Sequence, residues 1–311
     1  MIDRRQLLKG FGKSLLTSSL GLAAAQLFVG RAAHAQATMT TQTLNPNLVL
    51  IGGNGGNVLV RKAGNGELLA VDGGLSANAA DLLVSIRNAL GGDRITTLVN
   101  THWHHENVGL NETLGARGIR IFAHENTRQW LSTRIERPFD GAVFAPLPEN
   151  AQPNETFYHY GSLQHGDVPV EYGYLRQAHT DGDMYVFLPQ DNVLHAGGIV
   201  SSDAWPLMDW WTGGWIGGLV DGIETLLSVA NDNTVIVPGT GPVMTKADLV
   251  AMRDMYAELF EAVRSSFMVA NTVEDTVALK PAAAYEAQFG NSDMFIELSQ
   301  WSLIPHYAPD A

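Results

Sequence analysis

The sequence predicts an α+β chain in two sheet-containing halves, each covered by helices, and three observations lead to it. Strand and helix signals alternate along the first half, after a hairpin marked by Gly-Asn turns. A second group of strands begins near Val168 and gives way to a long amphipathic helix. No repeat of fixed period and no obvious linker interrupts the chain, so a single domain over residues 36–311 accounts for it.

After a polar start, the segment Asn47 to Gly74 reads as short strands broken by Gly-Asn turns. Val58 to Arg61 and Leu68 to Val71 flank Gly64-Asn65-Gly66, a hairpin signal. Asp81 to Leu90 has helical spacing, with Leu82, Leu83, Ile86 and Leu90 on one side, and Gly91-Gly92-Asp93 stops it. The apolar run Ile95 to Val99 is strand-like, as is Ile119 to Ala123, which leads into a helix at Glu125 to Ser132. Residues 135–155, with Pro138, Pro146, Pro148 and Pro153, read as an irregular insertion. Strands resume at Val168 to Leu175, Met184 to Leu188 and Asn192 to Leu194. An aromatic, Gly-rich stretch follows at residues 205–218, then a helix at 220–232 and a buried strand ending at Gly239. Ala247 to Val269 reads as the long helix, its inner stripe being Leu249, Met252, Met255, Leu259 and Val263.

Composition is that of a globular protein, 45% hydrophobic and 16% charged. Residues 1–35 are set apart from the fold because they read as an export signal. Arg4-Arg5 opens a twin-arginine pattern, Ser14 to Gly30 is uncharged, and Ala33-His34-Ala35 offers a small-x-small cleavage site ahead of Gln36. The expectation is a periplasmic or otherwise exported domain with no stable membrane insertion after cleavage. Losing those residues removes five basic groups and one acidic group, taking the net charge from −13 to −17. A chain so acidic is repelled by phosphate backbones and anionic lipid, which argues against nucleic-acid and membrane-surface partners. With no cysteine, neither a disulfide nor a thiolate ligand is available, so any metal must be held by histidine, carboxylate or water.

Three of the ten histidines fall within four positions, in Thr101-His102-Trp103-His104-His105-Glu106-Asn107, directly after the strand at 95–99. In near-extended backbone His102 and His104 project to one side, and His105 points away, either behind those two rings or toward solvent. His179, in a Gly-containing turn after the strand at 168–175, supplies a third imidazole. Three neutral imidazoles with an open fourth position match a zinc site that makes hydroxide available at neutral pH.

These residues resemble the metallo-β-lactamase superfamily, whose signature after a strand is His-x-His-x-Asp-His. The hairpin to Asp72, the His102–Asn107 loop, Ala178-His179-Thr180-Asp181-Gly182-Asp183, Asn192 to Val200 and Ile236 to Pro242 resemble five family segments in order. The resemblance implies a four-layer αββα sandwich with a metal site at one edge between the sheets. It also implies that His102, His104 and His179 form the first metal position. At the family's second position this chain has Glu106, Asn107 and Thr240, and it has Gly198 where an aspartate bridges two metals, so one Zn2+ per chain is expected. Iron or manganese in its place stays open.

The expected function is that of a zinc-dependent hydrolase, with attack of metal-bound hydroxide on an ester, lactone, amide or sulfate-type bond of a small molecule. Glu106 is the catalytic general base or water-orienting group, and Asn107 and Thr240 are donors to substrate or oxyanion. The alternative is a catalytically silent binding protein that kept the fold and lost the second metal site. An electron-transfer relative with two irons would need the same absent carboxylates and a flavin partner. A dinucleotide-binding reading of Gly52 to Asn57 fails because a strand follows, not a helix.

Around this site, Asp72 reads either as support for the ligand loop or as a plain turn aspartate, Asp181 and Asp183 as shaping the turn after His179, and His195 as structural. Trp210, Trp211 and Trp215 suit an aromatic or apolar substrate and equally suit core packing or an interface, and Trp103 reads as packing its loop. His124, His159, His165 and His306 have no partner spacing.

Overall fold

The computed structural model describes residues 39–308; the twin-arginine segment and the cleavage position at Gln36 lie outside them. The first half contains β1 (Thr40–Asn45), β2 (Leu48–Asn54), β3 (Gly56–Lys62), β4 (Leu68–Val71), α1 (Ala79–Leu90), β5 (Ile95–Asn100), α2 (Asn111–Gly115), β6 (Arg120–His124) and α3 (Glu125–Leu131). A small hairpin, β7 (Ile135–Glu136) with β8 (Val143–Phe144), precedes β9 (Glu155–Phe157). The second half contains β10 (Tyr160–His165), β11 (Val168–Tyr174), β12 (Met184–Leu188), β13 (Val193–His195), α4 (Ile216–Val229), β14 (Val235–Val237) and α5 (Lys246–Met268). It closes with α6 (Val273–Ala278), α7 (Glu286–Phe289), α8 (Asp293–Trp301) and α9 (Ile304–Tyr307).

One sheet has the order β1-β2-β3-β4-β5-β6-β9 and the other β10-β11-β12-β13-β14. Pleating explains how they pack, because alternate side chains of a strand face opposite ways. Leu48 and Leu50 of β2, Leu59 of β3, Leu69 and Val71 of β4, Val99 of β5 and Phe122 of β6 meet Val168, Val170, Met184, Val186 and Val193 of the other sheet in one buried cluster. Their neighbours Val49, Ile51, Val58, Val60, Leu68, Ala70, Leu98 and Ile121 turn outward onto Leu82, Ile86 and Leu90 of α1. Leu194 and Ile236 turn outward too, onto Ile223 of α4, Leu259 of α5 and Ile296 of α8. The layers are therefore helix, sheet, sheet, helix, the αββα sandwich expected from the resemblance.

All five residues assigned to the inner stripe of the long helix are buried. Thr245 and Asp248 form a reciprocal capping box at its start, which fixes where the helix begins. Three readings are corrected. The polar start is an edge strand, β1, paired antiparallel to β2 with its side chains mostly exposed, so it has no apolar alternation to betray it. The insertion at 135–155 is partly ordered as the β7–β8 hairpin. Residues 160–165, not read as a strand, form β10.

Parallel pairing of β4 with β5 sets Val71 beside Val99. Asp72 and the histidine loop consequently leave the sheet at the same edge, where the other sheet presents the turn between β11 and β12.

Candidate metal centre

The loop after β5 is a run of bends and turns rather than the extended backbone first expected, and Asn107 N donates to His104 O at 2.9 Å. His102 and His104 still converge, and they meet His179 from between β11 and β12. The three rings are buried and mutually edge-to-face, with centroids 4.6–4.8 Å apart. One nitrogen from each lies within 4.8 Å of the others.

At His104 and His179 a partner on one ring nitrogen identifies the nitrogen left over. His104 Nε2 lies 2.8 Å from Asp209 Oδ2, which leaves Nδ1. His179 Nδ1 faces Asp183 Oδ1 at 3.3 Å, which leaves Nε2. His102 Nδ1 is 2.9 Å from Thr101 Oγ1, whose hydroxyl donates to Asp72 Oδ2 at 2.8 Å, while its Nε2 meets the Asn107 amide nitrogen at 2.9 Å. Three carboxylates, one of them acting through a hydroxyl, thus fix ring orientation and tautomer, the pattern that accompanies metal-ligating histidines.

Electrostatics favour neutral rings at His102 and His104. Burial, reinforced by the neighbouring His179, holds His102 well below the ordinary histidine range and brings His104 down to about 3. At His179 burial is the largest influence and pushes the same way, but the Asp183, Asp209 and Glu106 carboxylates together outweigh it, so its value rises. Burial also pushes Asp72 and Asp209 up to about 7. Neutral imidazole is the form that offers a lone pair to a cation, and a trio of histidines suits a borderline-soft divalent metal.

Asp72 satisfies both of its readings. It sits in the left-handed region at φ 63°, as turn aspartates do, and it accepts from Thr101 N as well as from the hydroxyl. Asp183 accepts from the backbone of His179 and Thr180, each at 2.6 Å, and so shapes that turn. Asp181 instead takes the indole N–H of Trp130 at 2.6 Å. His195 is buried on β13 and accepts from Gly197 N, a structural role. His105 stacks on Phe144 away from the other rings.

Glu106 is the exposed carboxylate of the cluster, its Oε1 3.8 Å from His104 Nδ1. Asn107 is buried with Nδ2 2.9 Å from His102 Nε2, and its Oδ1 has no hydrogen-bond partner. Thr240 is engaged with Ser201, hydroxyl to hydroxyl at 2.7 Å. Gly198 packs directly on the rings, since a Cβ there would lie 2.7 Å from two His179 ring atoms and 2.9 Å from His102 Cε1.

Asp209 was missed in the sequence, where no spacing ties it to the histidines. Its loop is stitched to the His179 turn by backbone hydrogen bonds, Asp209 N to His179 O, Asp181 N to Thr212 O and Trp215 N to Ala178 O. Gly214 permits this closeness, because a Cβ there would run into the carbonyl of His179. Trp103 packs its loop as expected, donating to Thr212 Oγ1 at 3.0 Å. Of the three tryptophans set near the site by resemblance, only Trp211 lines the adjoining cleft. Trp210 stacks on Trp301 and Trp215 on His306, where they pack the carboxy-terminal helices.

Residues 45–240 match the metallo-beta-lactamase superfamily. A metallo-beta-lactamase type 2 of Bacillus cereus is 28% identical over 166 residues, covering 52% of this chain and 58% of that relative. Another from Bacillus sp. (strain 170) is 26% identical, again with 58% of the relative covered, so the chain spans little more than half the length of each. Among solved structures, DIM-1 metallo-beta-lactamase aligns with a TM-score of 0.56 at 20% identity, over 70% of this chain and 97% of that one. The sec-alkylsulfatase Pisa1 from Pseudomonas sp. aligns with a TM-score of 0.65 at 14% identity, over 88% of this chain and 51% of that one. Both structures share the fold described above. With its sandwich, its histidine trio at the sheet edge and a family match across more than half its length, this chain belongs to the metallo-beta-lactamase superfamily.

Proposed function

We propose that this chain is an exported hydrolase that uses one zinc ion, which His102, His104 and His179 would hold. The observation that carries the reading is that one nitrogen from each of the three buried rings lies within 4.8 Å of the others, with Asp209, Asp183 and, through Thr101, Asp72 set against the rings. Members of this superfamily are generally metal-dependent hydrolases. Bound there, zinc supplies Lewis acidity that makes water nucleophilic at neutral pH and polarises the oxygen of the scissile group.

The chain's own residues do the rest. Glu106, beside His104 Nδ1 yet open to solvent, accepts the proton of the attacking water. Asn107 offers its side-chain N–H to the oxyanion that develops as the ester, lactone, amide or sulfate-type bond is attacked. Thr240 is paired hydroxyl to hydroxyl with Ser201. A single metal fits the crowding at Gly198, where the rings occupy the room a bridging carboxylate would need. Export rests on the twin-arginine pattern at Arg4-Arg5, and amino-terminal sequencing of secreted protein should begin at or next to Gln36, an intact Met1 counting against it.

Metal analysis of protein purified without added metal tests the centre. About one zinc per chain is expected, with essentially none in His179→Ala. Glu106→Gln should retain the zinc while losing at least about 100-fold in kcat, the usual effect of removing a general base. Wild-type protein without metal would favour the silent binding module, and full activity in Glu106→Gln would remove that residue from the mechanism.

A further inference from the structure

His102, His104 and His179 are only 1–4% exposed, so the protein's own atoms close the route to them. Between the β7–β8 hairpin and the segment carrying Leu207 and Trp211 there is room for about one water. A substrate therefore reaches the rings from this side only after one of those two walls moves.

The walls are not equally tied. The Trp211 segment is bonded to the His179 turn, Asp209 N to His179 O and Asp181 N to Thr212 O, so shifting it would drag a histidine along. The hairpin is a two-stranded sheet of its own, apart from both large sheets. Among the described residues, the hydrogen bonds and ion pairs of residues 134–146 stay within that stretch: Arg137 N to Ala142 O, Gly141 N to Arg137 O, Arg134 with Glu136 and Arg137 with Asp140. Both of its ends are fastened to the end of α3, where Thr133 N donates to Trp130 O and Leu147 N to Leu131 O. Near that base Ile135 packs with Leu131, Trp103 and Val108. Beyond it, rings hold the hairpin down. Phe144 stacks on His105 at 4.6 Å and meets Trp103 edge-on at 5.6 Å, and Phe139 lies 5.4 Å from Trp211.

A lone two-stranded hairpin is marginal in water, and a stretch held by so few contacts opens well before the sheets do. The closed form also leaves Trp211 Nε1 buried without a hydrogen-bond partner, a donor that opening would hydrate.

We propose that the β7–β8 hairpin is a lid over the three histidines, swinging from the end of α3 and latched by Phe144 and Phe139. Opening admits a small molecule, and closing shuts the rings off from bulk water. Such a lid governs access to the rings whichever chemistry they carry.

Diethyl pyrocarbonate modification of the metal-free protein, mapped by mass spectrometry, reads the opening without any turnover. Exposed His159 should react quickly in every variant, and buried His165, which faces Thr97 near the start of β5, slowly in every variant. Phe144→Ala is expected to speed modification of His102 and His104 about tenfold, the size of losing its ring contacts, and Phe144→Leu by less. Phe139→Ala should speed it as well, although Phe139 does not line the space over the rings. Unchanged rates in both alanine variants would overturn the lid. So would acceleration by Phe144→Ala alone, which would make Phe144 a fixed cover, or equal acceleration at His165, which would mean a general loosening of the fold.

Discussion

Asp209→Ala is expected to weaken zinc binding by about 10- to 100-fold, the usual cost of removing the partner that orients a ligating histidine. The carboxylate is wholly buried, takes His104 Nε2 at 2.8 Å and also accepts from Thr212 N at 3.0 Å. Without it, His104 is free to exchange its tautomers, and only one of them offers Nδ1 to the metal. Asp209→Asn keeps an acceptor of similar shape and should lose less. Competition with a chromophoric chelator measures both variants, and an affinity for Asp209→Ala equal to wild type would show that His104 is oriented by other means.

Gly198→Asp, which writes the family's bridging carboxylate back into the chain, should fail to restore a second metal. Its Cβ would press on the His179 and His102 rings, so two of the three ligands must move before the carboxylate can reach anything. Overpacking of this kind costs about 1–3 kcal/mol. The expected result is a lower unfolding midpoint, a stoichiometry of one or less and weaker binding of that one. Two zinc ions per chain with unchanged stability would mean that the rings yield easily and that a single substitution separates this chain from a dinuclear centre.

Much of the fold was legible because its central strands, buried on both faces, read as continuous apolar runs bounded by turn residues. Leu48 and Leu50 face one layer, Val49 and Ile51 the next, and the Gly-Asn turns between them mark each reversal. What escaped notice lacked that signature. β1 is an edge strand with polar side chains on both faces, and β7–β8 is too short to show a period. The histidine trio could be read because local spacing and a strand end placed two of its members together. Asp209 could not, since it reaches His104 across 105 positions through a loop whose course is set by backbone hydrogen bonds. The same holds for Arg137 and Trp211, which share a cleft only after the hairpin folds over it.

His102 and His104 leave the end of β5 in one sheet, while His179 and Asp209 belong to segments of the other. A metal bound by all three histidines therefore ties the two halves of the sandwich together. In a chain without cysteine that bond takes the place of a disulfide, as a crosslink that forms only where the ion is supplied. At a free-ion level about 1,000 times the dissociation constant it adds roughly 4 kcal/mol to the folded state. The durability of this protein is then set by metal supply as much as by its own packing.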